Sequence, residues 1–362
     1  MTPAAYTVLR LDFAQHNLQK VRACAPHAKV MAVIKGNGYG HGLLRIAEAL
    51  PNVDAFAVAR VDEGIRLRKA GIKNKIVVLE GFTSNKELDS LLIYQLDVLV
   101  HSFTQLDILA NRITRAQISV WLKLDTGMNR LGFKVKDFHA VYQRLHECPI
   151  IKRPISLMTH LASADDKQDP MTLRQIGLFN ETLQGIVGER SIANSAGILG
   201  WPEALADWVR PGIMLYGISP FPGMTGEQLG LKPILGLHSR LIAVKPLEKG
   251  DAVGYAGSWV CETPTTLGVV AIGYGDGYPR HTKIGTPVLV NGKRVPLVGR
   301  VSMDMITVDL ETQPDAKPSD PVTLWGEGLA VEEIAEWANT IPYTLVCGIT
   351  QRVRQIDSSW LT

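Results

Sequence analysis

The chain has 362 residues, 46% of them hydrophobic, which is enough for a large core and more than one sandwich or small open sheet uses. Thirty-eight Lys and Arg against 35 Asp and Glu leave a formal charge of +3, with no basic run to mark a nucleic-acid or membrane face, so a small-molecule partner is expected. No stretch is apolar across a bilayer's thickness and 1–12 lacks a signal-peptide pattern, which points to a soluble cytoplasmic protein.

From about residue 29 to 216, short apolar runs alternate with amphipathic stretches, the pattern of repeated strand-helix units around a parallel sheet. The runs are 30–34, 55–59, 76–79, 97–100, 118–124, 155–159, 190–193 and 208–215, the number that closes a (β/α)8 barrel. Between them, 61–70, 136–146 and 171–187 carry apolar residues at three- and four-residue spacing and read as helices. After about Leu231 the texture changes to strands at 237–244, 267–272, 287–290, 305–308 and 321–325, with a hairpin turn at Asn291-Gly292 and one helix at 330–338. The sequence therefore predicts an α/β chain: a TIM-type barrel domain over 1–230, a linker at 220–232, and a mainly β domain over 231–362. The cysteines Cys24, Cys148, Cys261 and Cys347 include no Cys-x-x-Cys pair, so neither a metal site nor a redox couple is expected.

The first barrel run delivers Lys35 into a glycine-rich turn, Gly36-Asn37-Gly38-Tyr39-Gly40-His41-Gly42. A lysine at the end of an apolar strand is partly desolvated, and its neutral amine can attack a carbonyl and hold an aldehyde cofactor. The turn fits no dinucleotide fingerprint, because the third glycine of that frame is His41 or Leu43, and no triphosphate-binding loop occurs; a small phosphate ester stays open. The other strand ends are also polar: Arg60, Glu80, His101, Lys123 with Asp125, His160, Asn194 with Ser195, and Arg210. On this fold such ends share one rim, where active sites form. Asp125-Thr126-Gly127 lacks the second copy that an aspartic protease needs.

With these residues in order, the chain resembles the alanine racemases, and the resemblance runs nearly end to end. It is carried by Val33-Ile34-Lys35 through Tyr39-Gly40-His41-Gly42, Lys123 through Gly132, Thr159-His160-Leu161-Ala162 and Asn194-Ser195-Ala196. It continues through Arg210-Pro211-Gly212 to Gly217, Gly254-Tyr255, Gly273 to Arg280, and Gly299 to Asp304. The resemblance implies a pyridoxal 5′-phosphate enzyme, a homodimer with shared active sites, that interconverts L- and D-alanine for peptidoglycan or for D-alanine breakdown. Lys35 then holds the cofactor and serves as one base, while Tyr255 of the partner subunit is the other. An ordinary tyrosine, with a pKa of about 10, is a poor base at neutral pH. The family supplies His160, with Arg210 behind it, as support for its phenolate.

The same resemblance sets Arg210 against the pyridine nitrogen and makes Tyr39, Ser195, Gly212 and Ile213 the phosphate grip. Arg130 then contacts the cofactor phenolate and the substrate carboxylate, and Lys123 matches a lysine that is carbamylated in some members. Met303 and Asp304 approach the substrate, and Tyr274, Arg280 and Arg300 line its entry. The alternatives are a racemase of broader side-chain range, accepting serine or basic amino acids, and a decarboxylase of the same architecture. Two departures stand out. Gly36 and Gly38 replace alanines of the common motif, which loosens the turn unless positive φ angles are needed there, and Gln351 stands where many members have a phosphate-contacting tyrosine.

Overall fold

Strands buried on both faces read as unbroken apolar runs, whereas strands with one wet face alternate. Both kinds occur in the computed structural model, which describes residues 4–357. The chain forms two compact units: Gln15–Leu215, and the described part of Met1–Ala14 together with that of Tyr216–Thr362. The division thus falls after Leu215 rather than after the expected residue 230, and the first residues join the second unit. The cause is strand β1 (Tyr6–Leu9), which pairs with strands from the C-terminal part of the chain.

In the unit Gln15–Leu215 the strands are β2 (Lys29–Val33), β3 (Ala55–Val58), β4 (Lys75–Val78), β5 (Asp97–Val100), β6 (Val120–Asp125), a short β7 (Phe133–Lys134) beside β6, β8 (Ser156–Met158), β9 (Arg190–Ser191) and β10 (Trp208–Val209). All pairings are parallel, and β2-β3-β4-β5-β6-β8-β9-β10 close on themselves through β10 and β2, giving the eight-stranded barrel. Ala55 to Val58 are all fully buried, as a strand between barrel lumen and surrounding helices must be. Trp121 and Trp208 meet edge to face inside, their ring centroids 5.8 Å apart. The expected helices form at Val61–Lys69, Phe138–Glu147 and Met171–Thr182. The last is shorter than its apolar pattern because Gly185 takes a positive φ of 74° just beyond it.

The other unit contains β11 (Leu235–Leu247), β12 (Ala252–Val253), β13 (Trp259–Val260), β14 (Thr265–Val270), β15 (Pro287–Val290), β16 (Lys293–Val298), β17 (Ile306–Asp309), β18 (Pro321–Trp325) and β19 (Arg354–Asp357). Its main sheet runs β14-β17-β16-β15-β18-β11 and closes because the long, bulged β11 also pairs with β14. Asn291-Gly292 joins β15 to β16 with φ of 50° and 77°, the positive pair a two-residue hairpin requires. The expected linker is packed rather than loose: the buried carboxylate of Glu332 accepts from the backbone N–H of both Ser219 and Gly226 at 2.8 Å. Among the described residues, no helix is long and apolar enough to cross a membrane.

One half-buried side chain is expected to make this unit acid-sensitive. His238 on β11 stacks on Tyr6 at 5.5 Å, its Nδ1 is 3.1 Å from the Thr323 hydroxyl, and burial pushes its pKa down to about 4. A depressed imidazole pKa means that the unfolded chain binds the proton first, so the contribution is present above about pH 6.5 and is lost as pH falls towards 4. A loss on the order of 1–3 kcal/mol is expected. Denaturant midpoints at pH 7 and pH 4.5 check it: His238→Gln should show a smaller drop than the parent, and equal drops would refute the assignment.

Candidate active site

Lys35 follows β2 directly, and the chain then turns the wrong way for L-residues. Gly36, Asn37, Gly38, Tyr39 and Gly40 have φ of 62°, 56°, 63°, 50° and 80°, a continuous left-handed turn. The glycines the sequence suggested would loosen this segment therefore relieve it. Nothing lies within 4 Å of a β-carbon placed on Gly36, so an alanine there would suffer only the backbone cost of about 1 kcal/mol. Hydrogen bonds over-determine the strained shape: Gly38 N–H donates to the Ile34 carbonyl at 2.9 Å, Gly42 N–H to Asn37 O at 2.8 Å, and Leu43 N–H to Asn37 Oδ1 at 3.1 Å. Glu63 ties the turn to the next strand, accepting from Gly36 N–H at 2.9 Å through one oxygen and from Ala59 N–H at 2.8 Å through the other.

This turn carries Tyr39 to the end of β10. A β-carbon on Gly212 would lie 2.6 Å from the Tyr39 hydroxyl, so only glycine leaves room for the approach. Ser195, opening a helical turn after β9, accepts the Gly212 N–H at 2.9 Å and the Met214 N–H at 3.4 Å through Oγ. Its own hydroxyl hydrogen remains to donate outward. Ile213 follows, buried. Four of the expected phosphate-gripping residues thus gather at one rim.

Beside them stands a cluster of cations. Arg210, 3% exposed, donates Nη1 to the Ser191 hydroxyl and Nη2 to the Thr159 carbonyl, both at 2.6 Å, with Nη2 also 3.3 Å from His160 Nδ1. Among the described residues, no carboxylate neutralises it. Burial pushes its pKa down to about 9. Lys123, 7% exposed on β6, is pushed down to about 7, first by burial and then by Arg210, Arg130 and Lys35. The same burial and cations hold His160 well below the usual imidazole range. An array this rich in positive charge suits an anionic ligand.

The loop bearing the exposed Arg130 is shaped by Asp125. That carboxylate accepts from Gly127 N–H at 3.1 Å and Asn129 N–H at 3.0 Å, and from Lys134 Nζ at 2.6 Å. Fully buried Gln175 then stitches this loop to the His160 loop, donating to Thr126 Oγ1 at 3.1 Å and His160 O at 3.0 Å and accepting from Ala162 N–H at 2.8 Å. Sequence reading missed Glu63, Lys134 and Gln175, which carry no motif of their own: Glu63 serves backbone N–H groups, Lys134 the side chains of Asp125 and Asn129, and Gln175 both kinds. Arg60, Glu80 and His101 occupy neighbouring strand ends, where Arg60 faces Glu80 at 3.8 Å and the His101 ring is 3.0 Å from the Glu80 carbonyl.

The remaining site residues lie in the other unit. Tyr255, 66% exposed, begins a short turn after Gly254, whose φ of 75° favours glycine. A β-carbon on Gly254 would stand 3.3 Å from the Arg300 backbone nitrogen, which sets this turn against the loop that leads to Met303. Tyr274 N–H donates to Ser302 O at 3.0 Å and Gly275 N–H to Met303 O at 2.8 Å. Tyr255, Tyr274, Arg300, Met303 and Asp304 are thus carried on adjoining loops. Arg280 is exposed where the 273–280 segment ends, and Gln351 is exposed in the turn before β19.

Comparison with known proteins places both units. Residues 9–220 match the family profile "Alanine racemase, N-terminal domain", and 234–357 match "Alanine racemase, C-terminal domain". The chain is 52% identical over 339 residues to an alanine racemase of Shewanella sediminis, covering 94% of this chain and 95% of the relative. With an Escherichia coli protein named as biosynthetic alanine racemase it shares 49% identity over 351 residues, 97% and 98% of the two chains. Among solved structures, the biosynthetic alanine racemase of Pseudomonas aeruginosa superposes with a TM-score of 0.96 at 39% identity, covering 99% of this chain and all of that one.

Proposed function

Because the chain belongs to the alanine racemase family, we propose that it interconverts L- and D-alanine with pyridoxal 5′-phosphate held at the rim where β2, β9 and β10 end. The observation that carries this reading is the buried cation array beside the Tyr39, Ser195 and Gly212 cradle. It fits a phosphorylated, anionic cofactor with an aldehyde for Lys35. Tyr39, Ser195, Gly212 and Ile213 would hold the phosphate. When bound, pyridoxal phosphate supplies the electron sink that makes an amino acid's α-proton acidic.

Lys35 takes or returns that proton on one face. On the other, Tyr255 of the partner subunit does so, supported by His160. Arg210 Nη2 can only donate, so His160 Nδ1 at 3.3 Å accepts, and a neutral ring then carries its proton on Nε2. That N–H is the donor a phenolate needs. Arg210, cationic at neutral pH, would disfavour a proton on the pyridine nitrogen and so limit side reactions. With a pKa near 7, Lys123 has a substantial fraction of free amine at neutral pH. Addition of carbon dioxide would form an N–C bond, release a proton and place a negative charge beside Arg130, orienting it towards phenolate and substrate carboxylate. The exposed Tyr255, Tyr274, Met303 and Met305 favour burial against a second copy, forming a homodimer in the cytoplasm with shared sites.

The test is incubation of cofactor-loaded protein with L-alanine, followed by chiral chromatography. An approach to equal enantiomers is expected, and no D-alanine from loaded protein would refute the reading.

A further inference from the structure

The second unit contains a charge network centred on Arg352, a residue that none of these roles uses. Arg352, in the turn before β19, donates Nη2 to Asp304 Oδ1 at 2.7 Å and places Nε 3.3 Å from Asp276 Oδ1. Asp276 is buried, and its other carboxylate oxygen accepts from Gly273 N–H at 3.0 Å. Its carbonyl accepts Thr350 N–H at 3.1 Å, while the Thr350 hydroxyl donates to Gly275 O at 2.9 Å. Gly275 N–H in turn holds the Met303 carbonyl at 2.8 Å. The guanidinium crosses Gly275 so closely that a β-carbon there would collide with it and stand 3.0 Å from Met303 O. Three loops, 273–278, 302–305 and 348–353, therefore meet at one cation.

We propose that Arg352 is a positioning residue for substrate recognition: it fixes the 302–305 loop and neutralises Asp304, so that this loop can face the carboxylate of an amino acid. The inference rests on the reading in which Met303 and Asp304 approach the substrate. Without Arg352, an ionised Asp304 would confront an anionic substrate, and like charges a few ångströms apart repel far more strongly in a partly desolvated site than in water. Both side chains of the pair are 52% exposed in the single chain, and exposed pairs contribute little to folding. Asp276, the other partner, is buried, so removal of Arg352 should also lower the melting temperature through that pair, while the effect on substrate binding is the part that depends on Asp304.

The test is a double-mutant cycle on the cofactor-loaded full chain, reading KM and kcat for L-alanine together with the melting temperature. R352Q is expected to raise KM about tenfold with kcat within about twofold, because ground-state binding is what it weakens. In the D304N background the same change should raise KM less than about twofold, since the repelling charge is gone. Equal rises in both backgrounds, an unchanged KM, or an effect confined to kcat would overturn the proposal. Should R352Q fail to fold, R352K carries the test: its ammonium reaches one carboxylate at a time, so KM should rise about threefold and the rise should disappear with D304N. A rise that survives D304N overturns the proposal. A parent protein that racemises alanine while R352Q keeps the parent KM defeats this inference alone, whereas a parent that forms no D-alanine defeats the proposed function and this inference with it.

Discussion

Tyr255→Phe should lose racemisation by about a thousandfold or more while still binding pyridoxal phosphate, because it removes one proton carrier and leaves the barrel rim intact. The side chain is 66% exposed and belongs to no core, so the loss of one hydroxyl should not disturb folding. Inversion needs a proton removed from one face and returned to the other. With Lys35 alone, any proton taken is given back to the face it left. In deuterated solvent the variant should therefore still exchange the α-proton of one enantiomer while forming little of the other. Chiral chromatography combined with mass spectrometry of recovered alanine checks this. A variant that racemises at the parent rate would refute the second base.

Lys35→Ala should abolish activity in both directions, by about ten thousandfold or more, because one amine both attaches the cofactor and moves the proton. The left-handed turn that follows is held by hydrogen bonds to Ile34, Asn37 and Glu63, which the change leaves in place, so the cradle should survive it. The variant is expected to lose the visible absorption of lysine-bound cofactor while retaining affinity for the phosphate end. Added methylamine should restore part of the activity by supplying a diffusible base. An unchanged visible spectrum would show that another amine holds the cofactor.

The barrel could be read from sequence because strands such as 55–58 and 76–78 are apolar throughout, bounded by turns and followed by amphipathic helices. Lys35, Lys123, His160 and Arg210 were legible as polar residues at the ends of such strands. The last run was read as 208–215, but only Trp208–Val209 is strand, since Pro211-Gly212 breaks it and a tight turn follows. Strands β1 and β19 escaped notice because they pair with each other and gain meaning only across the whole chain length. The handedness of the turn after Lys35 was equally hidden. Glycine spacing alone does not reveal that five consecutive residues need positive φ, because the hydrogen bonds that impose it come partly from Glu63. Gln175 and Arg352 lacked any local signal, since each acts on loops distant in sequence.

The central claim is that each site is completed by a second copy, with Lys35 from one chain and Tyr255 from the other. Complementation between inactive variants tests it most directly. In a mixed dimer of K35A and Y255F subunits, one site lacks both bases and the other has both. Subunit exchange should therefore recover about a quarter of the parent activity, from one intact site in about half of the dimers. No recovery after exchange, with mixed dimers verified by mass, would contradict the shared site.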